Sequence, residues 1–416
     1  MQIGLALTVG MPEWLLASEI RVQSDTLFRS MQRDIGDAKD KLVLPGYEYL
    51  RVDAGRLMDK GFSFHGYGWG RFDFADSLFF ADRGDGELLY GYLQYADPDS
   101  GFDLKLGRQN VMAGVSYEAI DGLQITGDSV SGINLSIYGG QPVGFTAVNG
   151  RDGDSIYGGR LGYRQNQYGE IGVSCKILDN DKITVDETLG LDLSLFLPGN
   201  VNLFGLSTRN LDSKGWAEHS YELRIPIKSL SFRPYFGQYD YEHYFGTGVN
   251  TVNPFRVLAV NGEKLRVIGF DTTWRSSDSM ELGIKIKGND YDRINGSSYV
   301  SGLATWHGDK LTQVGVEVGL MDGDLDKQKY LLSRLFVYLD GLSAGIGFIS
   351  GDLIWARYDQ PIYNQDNSLF VSLGTGRAFW GESLEVKLSG DYSRDPYFDS
   401  DVRGLLSITY RYNSQP

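Results

Sequence analysis

The chain has one cysteine, Cys175, and four histidines in 416 residues. A lone cysteine excludes a disulfide framework, a zinc ribbon and a C-x-x-C-H haem attachment site within this chain, so no cofactor is expected on it and no metal site either. Cys175 itself reads as a wall residue between apolar neighbours. Long hydrophobic runs are also missing. No stretch of ~18 apolar residues occurs, and with a mean hydropathy of -0.25 transmembrane helices are excluded. No block of Lys or Arg is present and the net charge is -15, which argues against nucleic acid as a partner. Proline is scarce at 11 residues, whereas Gly 54, Tyr 26 and Phe 21 are abundant. That balance suits many strands joined by tight turns.

The strands announce themselves by period-2 alternation. Leu189, Leu191, Leu193, Leu195 and Leu197 share one face opposite Gly190, Asp192, Ser194 and Phe196. Tyr221, Leu223, Ile225 and Ile227 oppose Glu222, Arg224 and Lys228, and Met280, Leu282, Ile284 and Ile286 oppose Glu281, Lys285 and Lys287. The same rhythm sets Val314, Val316 and Val318 against Glu317, Leu384, Val386 and Leu388 against Glu385 and Lys387, and Leu406, Ile408, Tyr410 and Tyr412 against Thr409 and Arg411. Turn chemistry separates such runs: Asp-Gly at 85–86 and 340–341, Asp-Ser-Gly at 99–101, Pro-Gly at 198–199, Gly-Asp at 308–309 and Gly-Glu at 381–382. These features predict an all-β chain, a single antiparallel transmembrane β-barrel of about 20 strands (18–22). Residues 32–45 read as a polar connection, and 140–154, 245–261 and 355–366 as long extracellular loops.

The stretch GFSFHGYGWGRFDFAD, residues 61–76, acts as a ruler. One face carries Phe62, Phe64, Gly66, Gly68, Gly70, Phe72 and Phe74; the other carries Ser63, His65, Tyr67, Trp69, Arg71 and Asp73. Phe62 to Phe72 spans roughly 33 Å of strand, or about 25 Å along the normal at a tilt of ~40°. This matches the apolar band of an outer-membrane barrel. Phe62, Phe64, Phe72, Phe74, Tyr410 and Tyr412 are therefore candidate girdle residues at the lipid interfaces. Charge on a lipid face costs about 2 to 4 kcal/mol at mid-bilayer. The opposite face is then the lumen, with His65, Tyr67, Trp69, Arg71, Lys105, Asp192, Glu222, Arg224, Glu281, Lys285, Glu317, Glu385 and Lys387 as candidate lumen-facing residues. Both signs occur among them, so no ion selectivity follows.

Arg108 breaks the pattern, because it shares the parity of Phe102, Leu104 and Leu106. A bulge near Gly107 that flips the register, snorkelling at the membrane edge, or a functional arginine at a constriction would each account for it. Ser63 and His65 share a face and raise the minor alternative of a barrel esterase. No third orienting carboxylate and no G-x-S-x-G motif accompanies them, so no catalytic residues and no enzyme activity are expected. Residues 1–18 read as a signal-like export segment, with the barrel over 19–416 and an integral outer-membrane location.

The segments SDTLFRSMQRD, LVLPGYEYLRVDAG, SFHGYGWGRFDFADS, GELLYGYLQY, LKLGRQNVMAGVSYEAIDGLQ and IYGGQPVG, from residue 24 to about 144, resemble the N-terminal part of porin-like barrels found beside multihaem c-type cytochromes in metal-respiring bacteria. The resemblance implies a barrel in outer-membrane lipid that sheathes a periplasmic multihaem c-type cytochrome and contacts an outer-surface one in extracellular electron transfer. A diffusion porin with no cytochrome partner is the alternative.

Overall fold

A computed structural model describes residues 19–35, 38–57, 61–75, 79–80, 82–97, 99–143, 154–244, 262–293, 296–341 and 347–414. Its strands form one antiparallel sheet in which consecutive strands pair, except that the second and third both pair with the first. The first strand, β1 (Glu19–Ile35), pairs with the last, β23 (Phe398–Ser414), from Ile20↔Ser414 to Met31↔Arg403, which closes the sheet on itself. β2 (Ala38–Val43) and β3 (Pro45–Leu57) both pair with β1 and are separated only by Leu44. They act as one strand, and the closed barrel has 22 strands. At about 4.8 Å spacing and ~40° tilt, such a ring has a backbone diameter of roughly 45 Å.

Two of the expected connections are strand instead. Residues 32–35 extend β1, 38–43 make β2 and Pro45 opens β3, and residues 355–366 form the top of a hairpin between β20 (Phe348–Ile362) and β21 (Gln365–Phe379). Tyr363 and Asn364 both take positive φ there, 49° and 66°, as a two-residue hairpin turn requires. Charged residues on both strand faces mimic a loop where strands project beyond the lipid. Asp85-Gly86 likewise lies within β5 (Gly84–Asp97) and turns nothing. The turns at 198–199, 308–309 and 381–382 do fall between strands, and 340–341 lies at the end of a strand. Residues 144–153, most of the 140–154 connection, and all of 245–261 and 1–18 lie outside the described residues.

The end where β1 begins and β23 finishes carries short connections such as 228–229, 278–279 and 380–383; the other end carries 74–83, 143–154 and 241–263. Outer-membrane barrels have short periplasmic turns and longer extracellular loops, so the termini mark the periplasmic end. Hydrophobic burial is inverted relative to a soluble protein: Leu93, Ile171, Val173, Leu191, Ile284, Val316 and Leu320 are all exposed, while Gln109, Ser174, Asn210, Ser301 and Glu317 are buried. Phe62, Phe64, Phe72, Phe74, Tyr410 and Tyr412 are 38–54% exposed. Cys175 is exposed on the strand face shared with Ile171 and Val173. A lipid solvent explains an apolar exterior that water would not tolerate.

Candidate pore constriction and lumen wall

The inner face is identified by contacts that cross the barrel. Strands β6 (Phe102–Ala113) and β7 (Ser116–Asp128) form a hairpin whose tip is Gly114-Val115. The Val115 amide donates to the Ser174 hydroxyl at 3.0 Å, on β10 (Gly169–Asn180), three strands beyond β7. Such a contact passes over β8 (Ile133–Pro142) and β9 (Ser155–Gln165), and because Ser174 is buried on the face opposite exposed Ile171 and Val173, it lies inside the barrel and the hairpin is folded into the lumen.

Four features hold it there. Val111, Ala113 and Ile120 pack with Tyr138 of β8, Ile156 of β9 and Leu178 of β10 in an apolar cluster sealed from solvent. Ser116 and the Tyr138 hydroxyl are hydrogen bonded. Lys176 donates to Glu118 at 3.1 Å and pairs with Asp186 at 2.9 Å on β11 (Ile183–Leu197). Glycine permits the close seat: a Cβ on Gly114 would collide with Ser174, and one on Gly190 with the Val115 side chain. Gly114 also needs its positive φ of 61°.

Arg108 marks the point of departure. β5 and β6 are paired from Asp97↔Phe102 to Gly91↔Arg108 and no further. Exposed Leu106, buried Gln109 and buried Val111 keep one alternation through Gly107, so no register flip occurs despite its φ of 127°. Arg108 is bidentate to Asp121, at 2.8 and 2.9 Å, and donates to the Leu88 carbonyl at 2.9 Å. Its side chain is only 11% exposed. The guanidinium thus bridges β7 to the part of β5 that the hairpin abandons. Beyond that bend the face carrying Met112 and Tyr117 turns toward the open lumen, and Tyr117 is 78% exposed.

A second inward element starts at the extracellular end. α1 (Tyr241–Tyr244) follows β14 (Leu230–Asp240) and packs on β13 (Gly215–Ile227) and β12 (Val201–Asn210). His243 Nδ1 lies 2.9 Å from the Ser213 hydroxyl. Burial, with the Glu218 carboxylate nearby, pushes the Tyr244 phenol up, and Lys176 is close enough to act in the opposite sense.

Around the rest of the wall, charges are paired. Arg160 meets Glu170 and Asp192 at 2.6 Å each and Asn134 at 2.8 Å. Arg160, Glu170 and Asp192 border a cavity of about 380 Å³ with Arg164 and Phe196. Glu222 binds Arg224 at 2.6 Å, and Arg224 also lies over the Phe204 ring. Lys285 reaches Glu317 at 3.2 Å, and Glu385 is held by Lys387 at 2.9 Å and Arg411 at 3.2 Å. Glu281 stands opposite Thr305 in register. These residues sit on separate strands around the perimeter and form no single site.

The candidates on β3, β4 (Phe62–Asp73) and β5 do converge. Tyr67 packs on Tyr49 and Tyr90, Trp69 on Tyr47, Tyr90 on Tyr92, and Lys105 lies over Tyr92. This wall is therefore a cluster of phenol rings with one indole. Arg71 is buried with its guanidinium over the Phe80 ring at 3.7 Å. His65 stacks on Tyr92 and binds both Ser63, at 3.0 Å, and Asp53, at 2.6 Å. Sequence reading missed Asp53, which only the β3–β4 register (Asp53↔His65) brings alongside, and it missed the entire hairpin seat.

No protein-family model matches the chain, and no curated protein matches its sequence. Solved structures do match in shape. The siderophore receptor PirA from Pseudomonas aeruginosa superposes with a TM-score of 0.59 at 13% identity, over 95% of this chain and 81% of that one. The translocation pore of the usher PapC gives 0.50 at 9% identity, over 94% and 99%. OccAB2 of Acinetobacter baumannii gives 0.49 at 9% identity, over 97% and 100%. Identities this low speak for the fold alone. Closed 22-strand topology, an apolar exterior with aromatic residues among it, and a polar interior together make this chain an integral outer-membrane β-barrel.

Proposed function

We propose that the chain is a channel that passes small polar solutes across the outer membrane, with the β6–β7 hairpin as its constriction. The observation carrying this reading is a charge-paired inner wall that the hairpin covers over β8–β11 only. A 22-strand ring is wider than the 16 to 18 strands that already leave an aqueous channel. Purified protein in liposomes is expected to admit small neutral sugars in a swelling assay, with a size cut-off well below the ring diameter. Folded protein that admits none would sink the proposal.

A second reading is a sheath around partner multihaem cytochromes, with all haem on the partner and an electron-transfer role. The phenolic wall of β3–β5 favours it, because half-exposed tyrosines and a tryptophan are the residues interfaces use. It predicts that protein pulled from native membranes carries c-type haem absorbance. A colourless preparation counts against the sheath and leaves the channel standing.

A further inference from the structure

We propose that Ser63, His65 and Asp53 form a nucleophilic relay on the inner wall that hydrolyses short-chain carboxylic esters entering the lumen. The geometry assigns each group a role. Asp53 Oδ1 lies 2.6 Å from His65 Nδ1, which fixes the proton on Nδ1 and leaves Nε2 as an acceptor. Nε2 lies 3.0 Å from the Ser63 hydroxyl, within reach for general-base activation. The second Asp53 oxygen is held by Arg51 Nε at 2.8 Å, and the imidazole is held by its stack on Tyr92, with ring centroids 5.0 Å apart. Both partners that would otherwise swing are therefore fixed.

Other histidines lack this set. His219 bonds Ser207 through Nδ1 at 2.9 Å, and His243 bonds Ser213 at 2.9 Å with Asp240 at 3.7 Å, beyond hydrogen-bond distance. Among the described residues only His65 joins a serine hydroxyl to a carboxylate through its two nitrogens at hydrogen-bond distance. Lys105, whose ammonium lies over the Tyr92 ring, adds a positive charge to the same wall.

The reaction balances without any further reagent. Ser63 Oγ bonds to the acyl carbon, its proton passes to His65 Nε2, and the ester C–O bond breaks as the departing alkoxide takes that proton. Water then attacks the acyl-serine, gives a proton to Nε2, and the acid leaves as Ser63 regains its hydrogen. Because the relay is on the inner face, a water-soluble ester is its substrate class and bilayer lipid is not.

Detergent-solubilised full-length protein is treated with a fluorophosphonate and mapped by mass spectrometry, with p-nitrophenyl butyrate hydrolysis alongside. The small probe reaches the lumen whether or not the pore passes sugars, so the result is independent of the swelling assay. An adduct on Ser63 is expected in the wild type and is expected to vanish in Ser63→Ala and His65→Asn. Asp53→Asn should lower hydrolysis about 10⁴-fold, as loss of the orienting carboxylate does in serine hydrolases. Each variant's heat-shifted gel mobility reports that the barrel is folded. No adduct on folded wild type, or labelling that survives Ser63→Ala or His65→Asn, overturns the proposal.

Discussion

Gly190 offers a way to lift the hairpin tip without touching the barrel's ladder. Its missing Cβ points into the lumen, where it would overlap the Val115 side chain and stand 3.0 Å from the Ser174 hydroxyl. Gly190→Val therefore overpacks the seat, which costs about 1 to 3 kcal/mol, and breaks the bond from the Val115 amide to Ser174, a further ~0.5 to 1.5 kcal/mol. A total of about 1.5 to 4.5 kcal/mol moves the seated-to-lifted ratio of the tip by roughly 10- to 2000-fold. Val111 and Ile120 still anchor the base, each by ~1.5 to 3 kcal/mol of apolar burial, so the tip lifts while the base stays. Valine also suits a strand better than glycine, so the sheet itself should not suffer. In planar bilayers the variant should show higher single-channel conductance and faster current noise than wild type. Gly302→Val, at a position where an added Cβ meets nothing within 4 Å, is the control and should leave both unchanged. A folded Gly190→Val barrel with wild-type conductance and noise would refute the claim that the tip limits passage.

Two other perturbations follow from the same geometry. Lys176→Met leaves Glu118 and Asp186 facing each other with their shared cation removed, and should lower stability by about 3 to 5 kcal/mol, read as an earlier urea midpoint in vesicles. Leu191→Arg, on the exposed face, should weaken folding into bilayers by about 2 to 4 kcal/mol, whereas Ser194→Arg, on the face of Asp192, should change it by less than ~0.5 kcal/mol.

The barrel was legible because lipid and water impose opposite polarity on alternate residues. Runs such as 189–197 and 280–287 state both faces outright. That signal fails wherever a strand leaves the lipid. Residues 355–366 and 32–41 are largely polar and so resemble loops, yet Gln32↔Leu42, Arg33↔Lys41 and Ile362↔Gln365 are strand pairs there. The inturned hairpin was hidden for the opposite reason, since alternation runs unbroken through Gly107 while the strand changes what it faces. Its trace in the sequence is Arg108 and Asp121 on the lipid parity, followed by apolar Val111, Met112 and Ala113 on both faces. Asp53 was invisible as a partner of His65 because eleven intervening residues give no register until the β3–β4 pairing is known.

A β6–β7 hairpin that stands inside an open lumen and narrows it should obstruct flow further when a bulky group is attached to its tip. In a Cys175→Ser background, Tyr117→Cys places a single thiol at a position 78% exposed on the hairpin face turned to that lumen. A charged, membrane-impermeant thiol reagent should then react and cut single-channel conductance in a step that a reducing agent reverses. Complete modification with conductance unchanged would contradict the account.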